Sequence, residues 1–410
     1  DPQSAAPVTG YTEPVSTEFY FHNKVERLYE DPRVTRPYTD TQWEAIDQLG
    51  RQVDKELSRG KTLLTMGGEP TFVSIDDMDG AQWNTAALGV EKRKLSADLF
   101  RRLVKTFGSG ALEHYGQGKW YPGEVLPRWA MSSFWRTDGK PVWQDQKLLA
   151  ADGEDLGHTV EHAHRFAGGL AEVLGLPAER AVPGFEDVFY ALWQEGKLPH
   201  NVDPQDNKLK DPLERKRLRS QLEGGLGSVV GYALPLRRNP IEKAKPVWQT
   251  STWQFQRQHM YLGPGDSPMG LRLPLDSLPW TTPEEKELNT ERDPFEPRDT
   301  LADSYAPEES ASTILDTEAP EILHTALCLE ARGGRLRIFM PPMKDLEHYL
   351  ELVGAAEAVS GDLKMPVTLE GYEPPRDPRL NVLQVTPDPG VIEVNIHLAA
   401  NWRDLVKNTT

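Results

Sequence analysis

Apolar residues recur every three to four positions in four stretches of the chain, which is the pattern of an amphipathic helix. These stretches predict helices over residues 41–60, 96–107, 157–174 and 346–359. The first opens with Thr41 and Glu44 at the spacing of a capping box. A fifth, mostly charged helix is predicted to begin at Asp211-Pro212, because a cap residue followed by a first-turn proline is a helix start.

Short apolar runs bounded by turn residues predict β-strands. They lie at residues 62–66, 229–236, 270–273, 327–330, 336–340, 367–369, 380–385 and 391–397. Two hairpins are indicated, around Asp138-Gly139 and around Gly333-Gly334. Since strands and helices do not alternate regularly, the pattern favours an α+β domain, with an antiparallel sheet and flanking helices, over a doubly wound parallel sheet.

Composition changes sharply at two places along the chain. Residues 1–40 contain five prolines and no sustained period, which predicts an extended N-terminal arm before a domain that occupies residues 41–410. Residues 283–321 contain 13 acidic and 3 basic side chains, so −10 of the chain's net charge of −17 lies there. This composition predicts an acidic, disordered insertion; a docking or regulatory segment is the alternative.

Composition also limits the partners and the compartment. Of the 410 residues, 38% are hydrophobic, which is enough for a sizeable core. The negative net charge disfavours nucleic acid and anionic membranes as partners, and no apolar run approaches the ~20 residues of a membrane span. Cys328 is the single cysteine, so no intramolecular disulfide can form, and we expect a cytoplasmic protein.

The C-terminal strand carries a candidate metal site. Alternation places Glu393, Asn395 and His397 on one face of this strand and its aliphatic residues on the other. A hard cation such as Mg²⁺ takes oxygen ligands, which the carboxylate and the amide offer. A solvated sheet face is the equally weighted alternative. Glu69, which follows Gly67-Gly68 at the end of another predicted strand, could add a second carboxylate, or it belongs to a plain turn.

Two further motifs are weaker. Arg272 follows a turn and could hold a phosphate or a carboxylate bidentately, although an ion pair with a structural acid is the alternative. His158, Glu161 and His162 spell an inverted zinc-protease string, but the predicted helix turns these histidines away from its apolar stripe, so we interpret them as an exposed face. The sequence contains no G-x-S-x-G elbow, no P-loop and no G-x-G-x-x-G after a strand.

Seven strings together resemble a bacterial amidoligase family over about residues 45–410. They are TMGGEPTFVSIDDMDGAQWNT (65–85), YGQGKWYPGE (115–124), HNVDP (200–204), GYALPLRR (231–238), GDSPMGLRLPLDSLPW (265–280), EGYEPPRDPRL (370–380) and VTPDPGVIEVNIH (385–397). Members of that family are commonly fused to a transglutaminase-like cysteine-protease domain, and they continue beyond the position of Thr410. The resemblance therefore predicts a core that is incomplete at its C-terminus and a transglutaminase-like partner domain.

The resemblance implies a glutamine synthetase-like carboxylate–amine ligase that uses ATP and Mg²⁺ on an antiparallel sheet. Its substrates would be a carboxylate and an amine, each a peptide or a small molecule. Glu69, Glu393 and Asn395 would then hold Mg²⁺, while Arg272 and His397 would be catalytic. Arg272, Gly67 and Gly68 would bind ATP. The alternative is a non-catalytic peptide-binding module that serves a transglutaminase-like cysteine protease.

Overall fold

The computed structural model describes residues 38–62, 67–122, 124, 127–187, 227–241, 245–255, 258–264, 271–279, 292–293, 296–307 and 317–409. This part of the chain contains five α-helices: α1 Asp40–Gly60, α2 Val90–Phe107, α3 Val160–Val173, α4 Leu346–Leu363 and α5 Trp402–Thr409. Within these described segments, no helix is long and apolar enough to cross a membrane.

The strands are β1 Thr71–Phe72, β2 Leu112–Gln117, β3 Trp129–Arg136, β4 Val182–Glu186, β5 Val229–Pro235, β6 Arg237–Arg238, β7 Trp248–Gln249, β8 Met260–Pro264, β9 Leu271–Arg272, β10 Ala326–Arg332, β11 Arg335–Met340, β12 Val367–Gly371, β13 Leu380–Asp388 and β14 Val391–Asn395. Twelve of them form one sheet in the order β1-β14-β13-β3-β2-β12-β11-β10-β5-β4-β8-β9. The sheet is mostly antiparallel, as expected, but β12 pairs in parallel with both β2 and β11, and β4 with β8. The Gly333-Gly334 hairpin is confirmed between β10 and β11.

Helices cover the sheet on both faces. Helices α3 and α4 pack on the middle strands and enclose the largest core, whose members include Phe166, Leu170, Leu352, Ile338 and Leu369. Helix α2 packs on the opposite face near β13 and β14 and encloses a second core. The face that α3 and α4 cover is called the α4 face below, and the other is called the α2 face.

Helix α2 begins six residues before its predicted start, and a buried lysine explains the difference. Its first turns are mostly charged, but the Lys92 side chain is fully buried. The Lys92 ammonium donates hydrogen bonds to the carbonyls of Ala86 (2.9 Å), Ala87 (3.1 Å) and Asp388 (2.9 Å). Burial lowers the pKa of Lys92 to about 8. Lys92 thereby ties the loop before α2 to the end of β13.

Helix α1 forms over nearly the predicted residues, but it begins one residue earlier, and its N-cap residue lies two residues earlier. Its capping box joins Thr39 and Gln42 rather than Thr41 and Glu44. No residue of α1 is buried, and Leu49 stays 62% exposed. The helix is held instead by α5, where the Trp402 indole lies 6.1 Å from the Trp43 ring and donates a hydrogen bond to Asp47 (2.9 Å).

One predicted turn differs from the structure, and three predicted segments lie mostly outside the described residues. The predicted hairpin at Asp138-Gly139 is wrong, because the backbone N–H groups of Val142 and Trp143 donate to the carbonyl of Gly110 instead of forming a return strand. Burial of Trp143 in the main core favours this path. Residues 62–66, 211–223 and the proposed arm fall mostly outside the described residues, so their predicted elements stay predictions.

The acidic segment is packed where the structure describes it. Leu301 is buried in the main core, and Tyr305 packs against that core. The Arg136 guanidinium donates to the carbonyl of Ala302 (2.7 Å), and Arg379 donates to that of Asp299 (2.8 Å). Over residues 296–307 the structure therefore differs from the expected disordered insertion, because a few apolar side chains anchor an otherwise acidic stretch.

Candidate functional site

A row of polar side chains crosses four neighbouring strands on the α4 face. The Cα partners run from Asn395 on β14 through Gln384 and Ser132 to His114 on β2. Residues that pair directly across strands point to the same face, so these four side chains line up. Beyond β2 the same row continues as Leu369 on β12, which belongs to the apolar core. The sheet face thus changes from apolar to polar at β2, and the polar part is called the polar strip.

Glu393 forms the acidic end of the polar strip. The Glu393 side chain is 10% exposed. Its carboxylate pairs with the Lys119 ammonium at 2.5 Å, and the Thr386 hydroxyl donates to it at 3.4 Å. The Glu393 carboxylate raises the pKa of Lys119, and the charge of Glu69 adds to this effect. The negative charges of two carboxylates therefore both stabilise the protonated form of Lys119.

Glu69 lies beside this pair because residues 68–72 form the edge of the sheet next to β14. Thr71 is the Cα partner of Glu393, and the Val394 N–H donates to the carbonyl of Pro70 at 2.9 Å. Continuing this register puts Glu69 opposite Asn395, two residues along the strand from Glu393. Such diagonal neighbours are about 7–8 Å apart between Cα atoms. The structure thus brings Glu69, Glu393 and Asn395 together.

The glycines before Glu69 serve this edge pairing. The carbonyl of Gly68 accepts a hydrogen bond from Ile396 at 3.3 Å, and a Cβ at Gly68 would lie 3.3 Å from Cδ1 of Ile396. A Cβ at Gly67 would lie 3.4 Å from Cδ2 of Leu398. The two glycines therefore allow their backbone to pack closely against Ile396 and Leu398 of the same chain.

The prediction that His397 shares a face with Glu393 and Asn395 is wrong. Strand β14 ends at Asn395, so the alternation does not reach residue 397. The His397 ring packs against Phe107 and Trp135 on the α2 face, at centroid distances of 5.8 and 5.3 Å. Burial lowers its pKa. His397 is thus separated from the acidic end by the sheet.

Arg272 lies far from this end along the sheet. It is in β9, the last of the twelve strands, whereas β14 is second in the order. Ten strand spacings of about 4.8 Å amount to roughly 48 Å along the sheet. The structure does not bring Arg272 together with Glu393, and the cation that it does place there is Lys119.

The inner end of the polar strip contains a buried carboxylate and a buried imidazole. Glu373 follows β12, and its carboxylate accepts hydrogen bonds from the Ser132 hydroxyl (2.7 Å) and the Gln384 amide (3.3 Å). Burial raises the pKa of Glu373. His114 is fully buried, neither of its ring nitrogens has a hydrogen-bond partner of normal geometry, and burial lowers its pKa to about 3.

A cavity of about 690 Å³ opens beside these two groups. It lies where the parallel strands β2, β12 and β11 end, and its wall includes Gly116, Gly371, Glu373 and Pro341. A Cβ at Gly116 would lie 3.1 Å from Cε1 of His114 and 3.6 Å from Oε1 of Glu373. The missing side chain at Gly116 thus leaves Glu373 on the cavity wall with His114 directly behind.

The wall of this cavity also carries a balanced group of charges, which includes Glu330, Arg337 and Glu370. Arg337 pairs with Glu370, and Arg332 bridges Glu370 and Glu330 with contacts of 2.9 Å. Burial, and then the charges of Arg332 and Arg335, lower the pKa of Arg337 to about 9. These guanidinium groups and carboxylates compensate one another, which is what buried charges require.

The zinc-protease string does not form a metal site. His158 lies before α3, and its Nδ1 accepts a hydrogen bond from the Leu336 N–H at 3.1 Å. Nδ1 of His162 accepts one from the Thr159 N–H at 3.0 Å. In a neutral ring whose Nδ1 is an acceptor, Nε2 carries the proton, so neither ring offers a free lone pair. Throughout the described residues, no group of three or more His, Cys, Asp or Glu side chains could hold a metal.

Sequence reasoning missed most of the polar strip. Ser132 and Gln384 lie in apolar strands where nothing marks them, and His114 is an isolated histidine. Lys119 and Glu373 do fall inside family-like strings, beside glycines, and that was an available signal. Burial raises the pKa of the Cys328 thiol to about 12, which disfavours the reactive thiolate.

One of the three comparisons with known proteins gives a match, which is to a family model. No curated protein and no solved structure matches the chain. The family model described as "Putative amidoligase enzyme (DUF2126)" matches residues 13–410 and includes every residue of the polar strip. The chain belongs to this amidoligase family.

Proposed function

We propose that this protein is an ATP- and Mg²⁺-dependent ligase that joins a carboxylate to an amine. The observation that carries the proposal is the meeting of Glu69, Glu393 and Asn395 at one end of the polar strip. The family description, which names an amidoligase, supports the reaction class. The use of ATP and Mg²⁺ and the glutamine synthetase-like core go beyond that description and belong to our proposal.

The chemistry of the three side chains fits a hard cation. Two carboxylates and an amide oxygen are the donor types that Mg²⁺ takes, usually together with waters and substrate phosphates. Lys119 now compensates the charge of Glu393. Its flexible four-carbon stem allows the ammonium to move aside while staying near the phosphates that the cation would hold.

The reaction has two balanced steps. Attack of the substrate carboxylate on the γ-phosphorus of ATP forms an acyl phosphate and releases ADP. Attack of the amine on the acyl carbon then forms the amide, expels phosphate and gives up a proton. Bound Mg²⁺ would neutralise the phosphoryl oxygens. Lys119 would add a positive charge there, and Arg272 stays a sequence-based proposal for the same role.

A transglutaminase-like domain in the same polypeptide or complex and a cytoplasmic location are also proposed, on the family resemblance alone. The non-catalytic alternative is a module that holds peptide for such a domain. It would bind peptide without nucleotide or metal, whereas the ligase requires both.

The test is Mg²⁺-dependent ADP formation by the full chain with mixed amines and carboxylates. Glu393→Gln should reduce turnover at least about 100-fold, since one charge-stabilising contact is worth that much, and the isosteric change should leave the fold intact. Glu357→Gln is the matched control, because Glu357 is a partly buried carboxylate elsewhere that accepts two backbone N–H bonds. Full turnover by Glu393→Gln would rule out the assignment, and absence of ATP binding by the wild type would favour the peptide-binding module.

A further inference from the structure

We infer that the 690 Å³ cavity beside the polar strip is a binding site for a primary ammonium group attached to an apolar body, with Glu373 as its counterion. This rests on the proposed function in one respect, since it assigns the cavity to the amine substrate of the ligase. The inference is carried by the charges and the shape of the cavity wall.

Glu373 is an acid on this wall that forms no ion pair within the described segments, and the exposed Arg376 acts on it only through its charge. Its carboxylate is held by one hydroxyl and one amide, from Ser132 and Gln384. Within the described segments, no lysine, arginine or histidine lies within ion-pair distance of it. Burial raises its pKa more than these two hydrogen bonds and the charge of Arg376 lower it, so the carboxylate is only partly compensated. A buried carboxylate of this kind gains most from a ligand that brings a cation.

The other charges on the wall do not compete for that role. Glu370 and Glu330 are neutralised by Arg337 and Arg332. Asp276, on the segment that closes the cavity, is exposed and adds negative charge. With the paired groups cancelled, the wall keeps an excess of carboxylate. A cationic ligand is therefore favoured and an anionic one is repelled.

The body of the ligand would lie against an apolar wall. Met260 and Leu262 of β8 form one side of the cavity, and Leu273 and Leu275 form the segment facing them. The Phe339 and Tyr372 rings also line the cavity, in an edge-to-face contact at 6.2 Å. Aromatic rings near an acid suit an ammonium group. The volume falls within the 300–1,000 Å³ that small-molecule sites usually have.

The position also suits an amine substrate. Glu373 touches Gln384, and Gln384 is the Cα partner of Asn395 at the proposed metal site. The ammonium group would thus sit one strand spacing or two, about 5–10 Å, from the site where the acyl group is activated. Glu373 would orient the ammonium group and accept its proton before attack, which makes it a candidate catalytic residue.

The experiment measures binding of n-hexylamine, 1-hexanol and hexanoate to the full chain by calorimetry, in EDTA and without nucleotide. We expect hexylamine to bind at least tenfold more tightly than hexanol, and hexanoate to bind more weakly than either. Glu373→Gln, which is isosteric and keeps the same neighbours, should weaken hexylamine binding at least tenfold while hexanol binding changes less than twofold. Glu357→Gln should change neither.

A second variant covers the case that Glu373→Gln misfolds. Gly116→Ala places a methyl group near both His114 and Glu373, and it should weaken hexylamine more than hexanol. Equal binding of hexylamine and hexanol to the wild type, or unchanged hexylamine binding in both variants, would overturn the inference. The binding assay contains neither metal nor ATP. Its failure would therefore not count against the ligase proposal, and a lack of ATP turnover would not count against amine binding in the cavity.

Discussion

Acidification should destabilise the protein through His114. The ring is fully buried, and burial lowers its pKa from 6.5 to about 3. Above pH 6.5 the ring is neutral in both the folded and the unfolded state and contributes no pH dependence. Below that pH the unfolded chain binds a proton that the folded chain refuses. The free energy of unfolding must therefore fall as the pH is lowered from 6.5 towards 3.

The size of this effect follows from the two pKa values. Each unit between them is worth about 1.4 kcal/mol once the unfolded ring is fully protonated. At pH 5 the unfolded ring binds about 0.97 protons and the folded ring almost none, so the loss relative to pH 8 is about 2 kcal/mol. That is a substantial part of the roughly 5–15 kcal/mol that a typical domain has.

The assay is urea unfolding, followed by tryptophan fluorescence, of the wild type and His114→Gln at pH 8 and pH 5. Glutamine cannot titrate, so position 114 adds no pH dependence to the stability of the variant. The stability difference between wild type and variant should shrink by about 2 kcal/mol on going to pH 5, because only the wild type loses the His114 contribution. A difference that stays constant within about 0.5 kcal/mol would refute the reasoning, since it would mean that the folded ring is protonated as easily as the unfolded one.

Three stability predictions concern the helices and the acidic segment. Lys92→Met should cost about 3 kcal/mol, because three partly buried carbonyls lose their donor. Lys94→Met, on the exposed side of the same helix, should leave the melting temperature nearly unchanged. Gly354→Ala should lower the melting temperature, since its Cβ would lie 2.2 Å from the carbonyl oxygen of Tyr305. In contrast, Gly168→Ala meets no atom within 4 Å and should stabilise its helix by up to about 1 kcal/mol. Leu301→Ala should lower the free energy of unfolding by about 2–4 kcal/mol, because Leu301 anchors the acidic segment in the core. An unchanged urea midpoint would instead support a disordered insertion.

Local patterns predicted four of the five described helices and seven of the fourteen described strands, mainly where the apolar pattern of a segment corresponds to its own burial. The periodicity of α3 and α4, for instance, corresponds to the buried stripes that pack on the sheet. The start of α2 was missed because Lys92 is charged, and sequence patterns treat a lysine as exposed. Its burial depends on carbonyls that come partly from β13, nearly 300 residues away.

Only the part of the candidate site that local sequence shows was predicted. Glu69 and Glu393 stand out locally, and their meeting follows from one edge pairing. The row through Gln384, Ser132 and His114 depends on registers between strands distant in sequence, and on a parallel pairing of β2 with β12 that no local signal shows. His397 was misplaced because alternation was extended two residues past the real end of the strand.

The central claim is that Glu69, Glu393 and Asn395 hold the cation that binds ATP. The most direct test titrates Mg²⁺ with a non-hydrolysable ATP analogue into the full chain by calorimetry, with EDTA as the metal-free condition and Glu357→Gln as the control variant. The account predicts binding of the analogue only with Mg²⁺, and a loss of at least about tenfold in affinity, or 1.4 kcal/mol, for Glu393→Gln. Equal affinity with and without Mg²⁺, or unchanged affinity in Glu393→Gln, would contradict it.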